Sequence, residues 1–184
     1  MSTKQLKKFS HPFLIPPHQV KSRAVLDTKT DLKRIEEDGY KMFKSLTMAH
    51  GVWRLGGYAI AHSQVTNQDP LCFFVMRNEI VVNPSIINHV QYKVKKLEGC
   101  LSFPEARDFA LPLRYHKITV EYQTVIEDKD GVQRLSSFRK KFLSGRDAQI
   151  WQHEIDHFNC NYIYLYDLRN LSGDQKEFNG DKKL

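Results

Sequence analysis

Between Asp31 and Ala49 apolar residues recur at three- and four-residue steps. Leu32, Ile35, Gly39, Met42, Phe43 and Leu46 fall on one stripe of a 3.6-residue repeat. The spacing predicts an amphipathic helix. Thr30 or Asp31 caps its start, the Glu36-Glu37-Asp38 run faces water, and His50-Gly51 ends it. After Gly56 the period shortens. The continuous apolar run Leu71 to Met76 predicts a buried strand, with Cys72 as a small hydrophobe inside it. Ile80-Val81-Val82 predicts another, stopped by Asn83-Pro84. Alternation from Ile118 to Ile126 predicts a half-buried strand that runs into a polar turn at Glu127–Gly131. Ser136 to Arg146, with Arg139, Lys140 and Lys141, reads as a solvated basic loop. A second helix is predicted from about Arg146 through His157 or slightly beyond.

The first 26 residues hold no Asp or Glu, and Pro12, Pro16 and Pro17 interrupt any helix there, so they read as an extended basic arm. From about Arg169 the chain is polar, without apolar periodicity, and reads as a flexible tail. The 184 residues fit one domain. With 41% hydrophobic and 27% charged residues they can build a core, which excludes global disorder. The longest apolar stretch, Leu71–Met76, is too short to cross a bilayer, and no N-terminal apolar segment resembles a secretory signal. Cys72, Cys100 and Cys160 cannot close a disulfide framework, which fits a reducing compartment. The reading is a soluble, intracellular protein. Its net charge of +7 admits an RNA-rich partner but fits ordinary solubility better.

The second helix carries the chemistry, in Trp151-Gln-His153-Glu154-Ile-Asp-His157. Residues i and i+4 share a helical face, so the HExxH spacing lets His153 and His157 point at one ion, with Glu154 beside them as a base. Catalytic centres of the zinc type usually take three protein ligands plus water. No His follows His157, and the downstream acids Asp167, Asp174, Glu177 and Asp181 form no ligand motif. Upstream stands Glu98-Gly99-Cys100-Leu101-Ser102, whose thiol by itself would read as buried and inert.

The pairing of EGCLS at 98–102 with HEIDH at 153–157 resembles the second and third motifs of the peptide deformylases. Phe103-Pro104-Glu105-Ala106-Arg107 continues the second motif, and Gly57-Tyr-Ala59-Ile-Ala61-His62-Ser63-Gln64 resembles the first in altered form. The resemblance runs from about Phe13 to Tyr166. It implies an α+β fold with mixed or antiparallel β-strands around a central metal-binding helix. Residues 1–168 would form the catalytic domain, with 1–12 as the basic arm and 169–184 as the tail. It implies hydrolysis of the N-formyl group from N-formylmethionyl nascent peptides in the cytoplasm. The cofactor it implies is one divalent ion, Fe²⁺ natively, with Zn²⁺, Ni²⁺ or Co²⁺ possible. By the same resemblance Cys100, His153 and His157 bind the ion and Glu154 moves the proton. The Gln64 amide and the Leu101 backbone N–H receive the developing oxyanion, while Gly57, Ala59 and Arg107 line the substrate. Glu98 orders the motif by pairing with Arg114.

The chain departs from the family pattern at three positions. Ala59 stands where the motif has glycine, and its methyl narrows the substrate groove or excludes a positive φ. His62 replaces a small residue and either packs against the sheet, the favoured reading, or reaches the active-site pocket. Cys160 stands where relatives have glycine. Two rivals remain, an HExxH metalloprotease and a non-catalytic homologue that binds nascent chains or RNA. The basic stretch around 136–146 reads by default as solvated and also admits ribosome contact through Lys and Arg pairing with phosphate.

Overall fold

The computed structural model describes residues 14–53, 57–77, 79–95, 97–103 and 112–163. The basic arm, Arg107 and the tail from 169 lie outside the described residues. Two helices, α1 (Lys29–Trp53) and α2 (Gly145–Phe158), enclose a five-stranded sheet. Its strands are β1 (Ala59–Ala61), β2 (Phe73–Met76), β3 (Glu79–His89), β6 (Lys117–Gln123) and β9 (Arg139–Ser144), adjacent in that order and all antiparallel. Two small pairs complete the described sheets: β4 (Lys93–Lys95) with β5 (Leu113–Tyr115), and β7 (Val125–Glu127) with β8 (Gln133–Leu135). The architecture is the α+β arrangement expected, and among the described residues each strand pairing is antiparallel.

Strand β2 is buried on both faces, which explains why it reads as an unbroken apolar run rather than an alternation. Phe73 and Val75 point toward α1, where they pack with Ile35, Met42, Leu46, Ile60 and Val82. Phe74 and Met76 point the other way and pack with Ile118, Val120, Leu143 and Trp151 of α2. Trp151 meets Phe74 and Tyr122 edge-on, each at 5.1 Å between centroids. Cys72 is a half-buried thiol whose pKa burial pushes up to about 11, consistent with a small hydrophobe.

Several boundaries differ from expectation, each for a local reason. Helix α1 continues past His50-Gly51 to Trp53 and starts earlier. Thr28 Oγ1 accepts the Asp31 N–H at 3.2 Å, so Thr28 supplies the cap, while Asp31 receives Arg23 and the Leu26 N–H. Asn83-Pro84 does not stop β3. The register shifts between Val82 and Ser85, Asn83 takes φ +49°, and its side chain brackets the Val25 backbone at 2.8 and 2.9 Å. A bulge tolerates both a left-handed Asn and a Pro without an N–H. The strand expected over Ile118–Ile126 breaks at Thr124, whose N–H turns to Ser136 Oγ at 3.0 Å, and the chain then enters the β7–β8 hairpin.

The basic stretch is not a loop. It forms β9, whose inward residues include Leu143 and whose Lys141 lies over the Trp151 ring at 5.7 Å. Long cationic stems cover apolar surface while their charged heads stay wet, and this hides a strand behind a basic composition. Gly145, at φ +57°, turns the chain directly from β9 into α2, a geometry that glycine adopts without a Cβ clash.

Candidate metal centre and active site

Three segments converge on α2. A 3₁₀ turn, His62–Gln64, follows β1; the turn Cys100–Phe103 precedes β5; and the middle of α2 presents His153 and His157. Donor atoms of Cys100, His153 and His157 all lie within 4.8 Å of one another, and all three residues are buried. The His157 Nε2 stands 3.3 Å from Cys100 Sγ. A tetrahedral centre with a thiolate and imidazoles sets its donor atoms about 3.4–3.6 Å apart, given ordinary bond lengths. One thiol and two imidazoles at this separation therefore fit a divalent ion.

The histidine orientation is fixed from behind. His153 Nδ1 lies 2.9 Å from Glu98 Oε2, which leaves Nε2 for the shared centre. Glu98 is gripped in turn by Arg114 through two bonds of 2.7 and 2.9 Å, and Arg114 also pairs with Asp156 of α2. Burial opposes ionisation of Glu98, yet hydrogen bonds from His153 and Arg114 outweigh it and hold the carboxyl at about 2. A carboxylate behind a metal-binding imidazole sets its tautomer and raises its basicity. The expected Glu98–Arg114 pair is therefore present and extends to Asp156 and His153. Burial also disfavours a proton on His153, but the charge on the Cys100 sulfur and the bond to Glu98 reverse this and raise its pKa. His157 is held low by burial and by its neighbour His153.

Glu154 is buried, and its Oε2 has no hydrogen-bond partner among the described residues. Burial pushes its pKa up to about 7. An unpartnered buried carboxylate oxygen is costly unless a reaction or an ion uses it. Gln64 is held from both ends of its amide. Its Oε1 accepts the Ala61 N–H at 2.9 Å, and its Nε2 donates to Ser102 Oγ at 2.8 Å and lies 3.8 Å from Cys100 Sγ. The third residue of the CLS run thus aims the glutamine of the other motif, a role not assigned from the sequence.

Gly57 sits where the first two motifs touch. A Cβ there would stand 2.8 Å from Leu101 Cδ1 and 3.0 Å from Leu46 Cδ2. Ala59 lies in β1 opposite Met76, its methyl part of the core beneath α2, and it is not among the described residues with positive φ. His62 does not reach toward Cys100. It is fully buried, stacks on Phe73 at 4.5 Å, and bonds Asp38 of α1. Asp38 accordingly turns inward, against the expectation that the whole acidic run faces water. Cys160 ends α2 with φ +58°, the conformation for which glycine is the usual choice.

Two glutamines given no site role from the sequence fasten α2 to its neighbours. Gln152 exchanges bonds with the Tyr115 backbone, both at 2.9 Å, and Gln149 donates to Leu97 O at 3.2 Å. Their spacing of three on the face below His153 was the available signal.

Comparison with known proteins agrees with this geometry. The family model described as Polypeptide deformylase matches residues 17–171. Among solved structures, the peptide deformylase of Thermotoga maritima is 30% identical, with a TM-score of 0.60 over 84% of this chain and 97% of that one. A Plasmodium falciparum peptide deformylase in complex with an inhibitor is 27% identical, with a TM-score of 0.59 over 84% of this chain and 88% of that one. The peptide deformylase of Brachyspira hyodysenteriae is 35% identical over 101 residues, 53% of this chain. That of Thermus thermophilus is 38% identical over 90 residues, 49% of this chain. The matched stretches span 48% and 41% of those two curated relatives, less than half of their length.

Proposed function

The chain belongs to the polypeptide deformylase family, and from that premise we propose that it is a metal-dependent hydrolase that removes the N-formyl group from N-formylmethionyl peptides of newly made proteins. The observation that carries this reading is the buried cluster of Cys100, His153 and His157 with the unpartnered Glu154 carboxylate beside its histidines.

In this mechanism Cys100, His153 and His157 hold one divalent ion, Fe²⁺ in the cell, with Zn²⁺, Ni²⁺ or Co²⁺ able to replace it. When bound, that ion supplies the Lewis acidity that lowers the pKa of a water nucleophile. Glu154 takes the proton from the attacking water and delivers it to the departing amine, a base and then an acid at one position. Its burial keeps the carboxylate basic enough for the first step. The Gln64 amide, already aimed by Ser102 and Ala61, and the Leu101 N–H donate to the oxygen on the tetrahedral carbon. Glu98 and Arg114 keep the His153 ring fixed while charge moves.

Gly57 and Ala59 border the path of the substrate backbone, and Arg107 contacts its peptide portion. Residues 1–168 act as the catalytic domain, and the basic face that includes β9 is the route for any ribosome contact. The cytoplasm is the setting we assign, because a thiol ligand with two further unpaired cysteines fits a reducing compartment. Among the described residues no helix is long and apolar enough to cross a membrane.

The test is anaerobic hydrolysis of formyl-Met-Ala-Ser by iron-loaded protein beside Glu154→Gln. Turnover that vanishes in the variant, with its metal content unchanged, is the expected result. No turnover from a verified metal-loaded wild type would overturn the reading in favour of a binding homologue.

A further inference from the structure

His62 is a polar side chain placed at the floor of an apolar layer, and both of its ring nitrogens are used. Nδ1 accepts the Leu71 N–H at 2.8 Å, so Nε2 carries the proton and donates it to Asp38 Oδ2 at 3.0 Å. The ring is 0% exposed and stacks on Phe73. A buried imidazole is costly unless both nitrogens are bonded, and here both are. Asp38 sits just over one helical turn before Met42, on the side of α1 that packs on the sheet, and Lys41 holds its other oxygen at 2.6 Å.

The turn that begins with His62 ends with Gln64. A single 3₁₀ turn has little stability of its own. Its position comes from outside bonds: Ile15 N–H to Gln64 O at 2.9 Å, His18 Nε2 to Ser63 O at 2.9 Å, and Ser63 Oγ to His157 O at 3.4 Å. Those bonds reach the N-terminal segment and α2. The link from the turn to α1 runs through His62.

We infer that His62 and Asp38 are a positioning pair that fixes the Gln64 amide from the α1 side, a role that rests on the deformylase reading above. His62 touches neither substrate nor ion. It acts through Gln64, two residues on, by denying the turn a rocking motion about its bonds to the N-terminal segment. Gln64 donates to an oxygen whose charge develops in the transition state, so a loosened turn lowers kcat and leaves KM nearly untouched. Displacements near 1 Å at such a group cost about 10²-fold, and a turn still held at Ser63 and Gln64 moves less, so a loss of about 10-fold is expected.

The experiment is a mutant cycle between Asp38 and Gln64 with iron-loaded protein and formyl-Met-Ala-Ser. Asp38 is the outer member of the pair, with 19% side-chain exposure, so Asp38→Ala removes the acceptor without deleting a core side chain. Asp38→Asn, which keeps an acceptor oxygen, is the control expected to restore kcat. The expected result is a kcat about 10-fold lower with KM within twofold, and no further loss when Asp38→Ala is added to Gln64→Ala. An unchanged kcat, or an equal loss in the Gln64→Ala background, overturns the pair's role. A second readout does not depend on turnover. In zinc-loaded, ¹⁵N-labelled protein, the Gln64 side-chain amide resonances shift in Asp38→Ala, and His62 is the Nε2–H tautomer in the wild type. Unmoved Gln64 resonances or the opposite tautomer overturn it, even where wild-type inactivity has already removed the deformylase reading.

Discussion

Replacing Glu98 separates the metal ligand from its support without touching a ligand. The carboxylate makes three charge-assisted bonds, two to Arg114 and one to His153, with side-chain exposures of 4% for both Glu98 and Arg114. Glu98→Ala leaves Arg114 buried with only its Asp156 partner among these acids and leaves His153 Nδ1 without this acceptor. Breaking a buried pair by removing one member costs about 3–5 kcal/mol. Asp156 remains, which places the expected loss near the lower end, about 3 kcal/mol. For a chain of this size each 1 kcal/mol shifts Tm by about 2–4 °C, so the midpoint falls by roughly 6–12 °C and the protein still folds.

The metal is the sharper readout. Loss of an outer partner of a ligating histidine typically weakens metal affinity about 10- to 100-fold. Glu98→Gln keeps the shape and one acceptor oxygen, so it falls between wild type and Glu98→Ala in both stability and affinity. Chelator competition with zinc-loaded protein gives the affinities, and thermal unfolding with and without zinc gives the midpoints. If Glu98→Ala binds zinc within twofold of wild type, Glu98 does not fix the His153 ring, and the network is a packing feature alone.

Gly57→Ala drives a methyl into Leu101 Cδ1 and Leu46 Cδ2, both movable side-chain ends, so it costs about 1–3 kcal/mol and lowers kcat by displacing Leu101; kinetics beside urea unfolding check both. Gln64→Ala lowers kcat about 10²- to 10³-fold with metal content unchanged by elemental analysis, whereas a loss of metal would mean that Gln64 acts by holding Cys100. Asp38 is held at about 2, chiefly by the His62 bond and against its burial, compared with 3.8 for the free carboxyl. Its stabilisation, about 2 kcal/mol, is complete above pH 4 and lost as pH falls toward 2; in Asp38→Asn the urea midpoint therefore declines less across that window, and parallel declines would refute the pairing.

The helices were legible because their signals are local. The stripe of α1 and the i, i+4 histidine pair of α2 each survive in one segment of chain, whereas Cys100 became a ligand candidate only through the resemblance of EGCLS to the family motif. What failed to show was set by partners distant in sequence. Asn83-Pro84 looks like a stop until Val25 lies beside it to fill the bulge. The chain at Thr124 leaves the strand because Ser136, twelve residues on, takes its N–H. The basic residues of β9 disguise an edge strand: Lys141 lies over the Trp151 ring and Leu143 enters the core, while Arg139 and Lys140 stay exposed. Asp38 belongs to an acidic run that reads as solvated, and only the fold of β1 onto α1 reveals His62 as its partner.

These distant pairings also explain why so many polar groups can sit inside one small domain. The sheet separates two apolar layers, and a polar thread crosses each: one ends at a candidate ligand, the other two residues from Gln64. On the α2 side the thread runs from Asp156 through Arg114 and Glu98 to His153. On the α1 side it runs from Lys41 through Asp38 to His62, two residues from Gln64. Within each thread every charge named has an opposite charge or a hydrogen-bond donor beside it, the condition under which a buried network rigidifies rather than destabilises. Among the described residues the unpartnered buried side-chain atoms are Ser22 Oγ, Trp151 Nε1, Glu154 Oε2 and His157 Nδ1, the last two on residues of the candidate site. Of these, Glu154 Oε2 is the acceptor that a reaction at the candidate site can use.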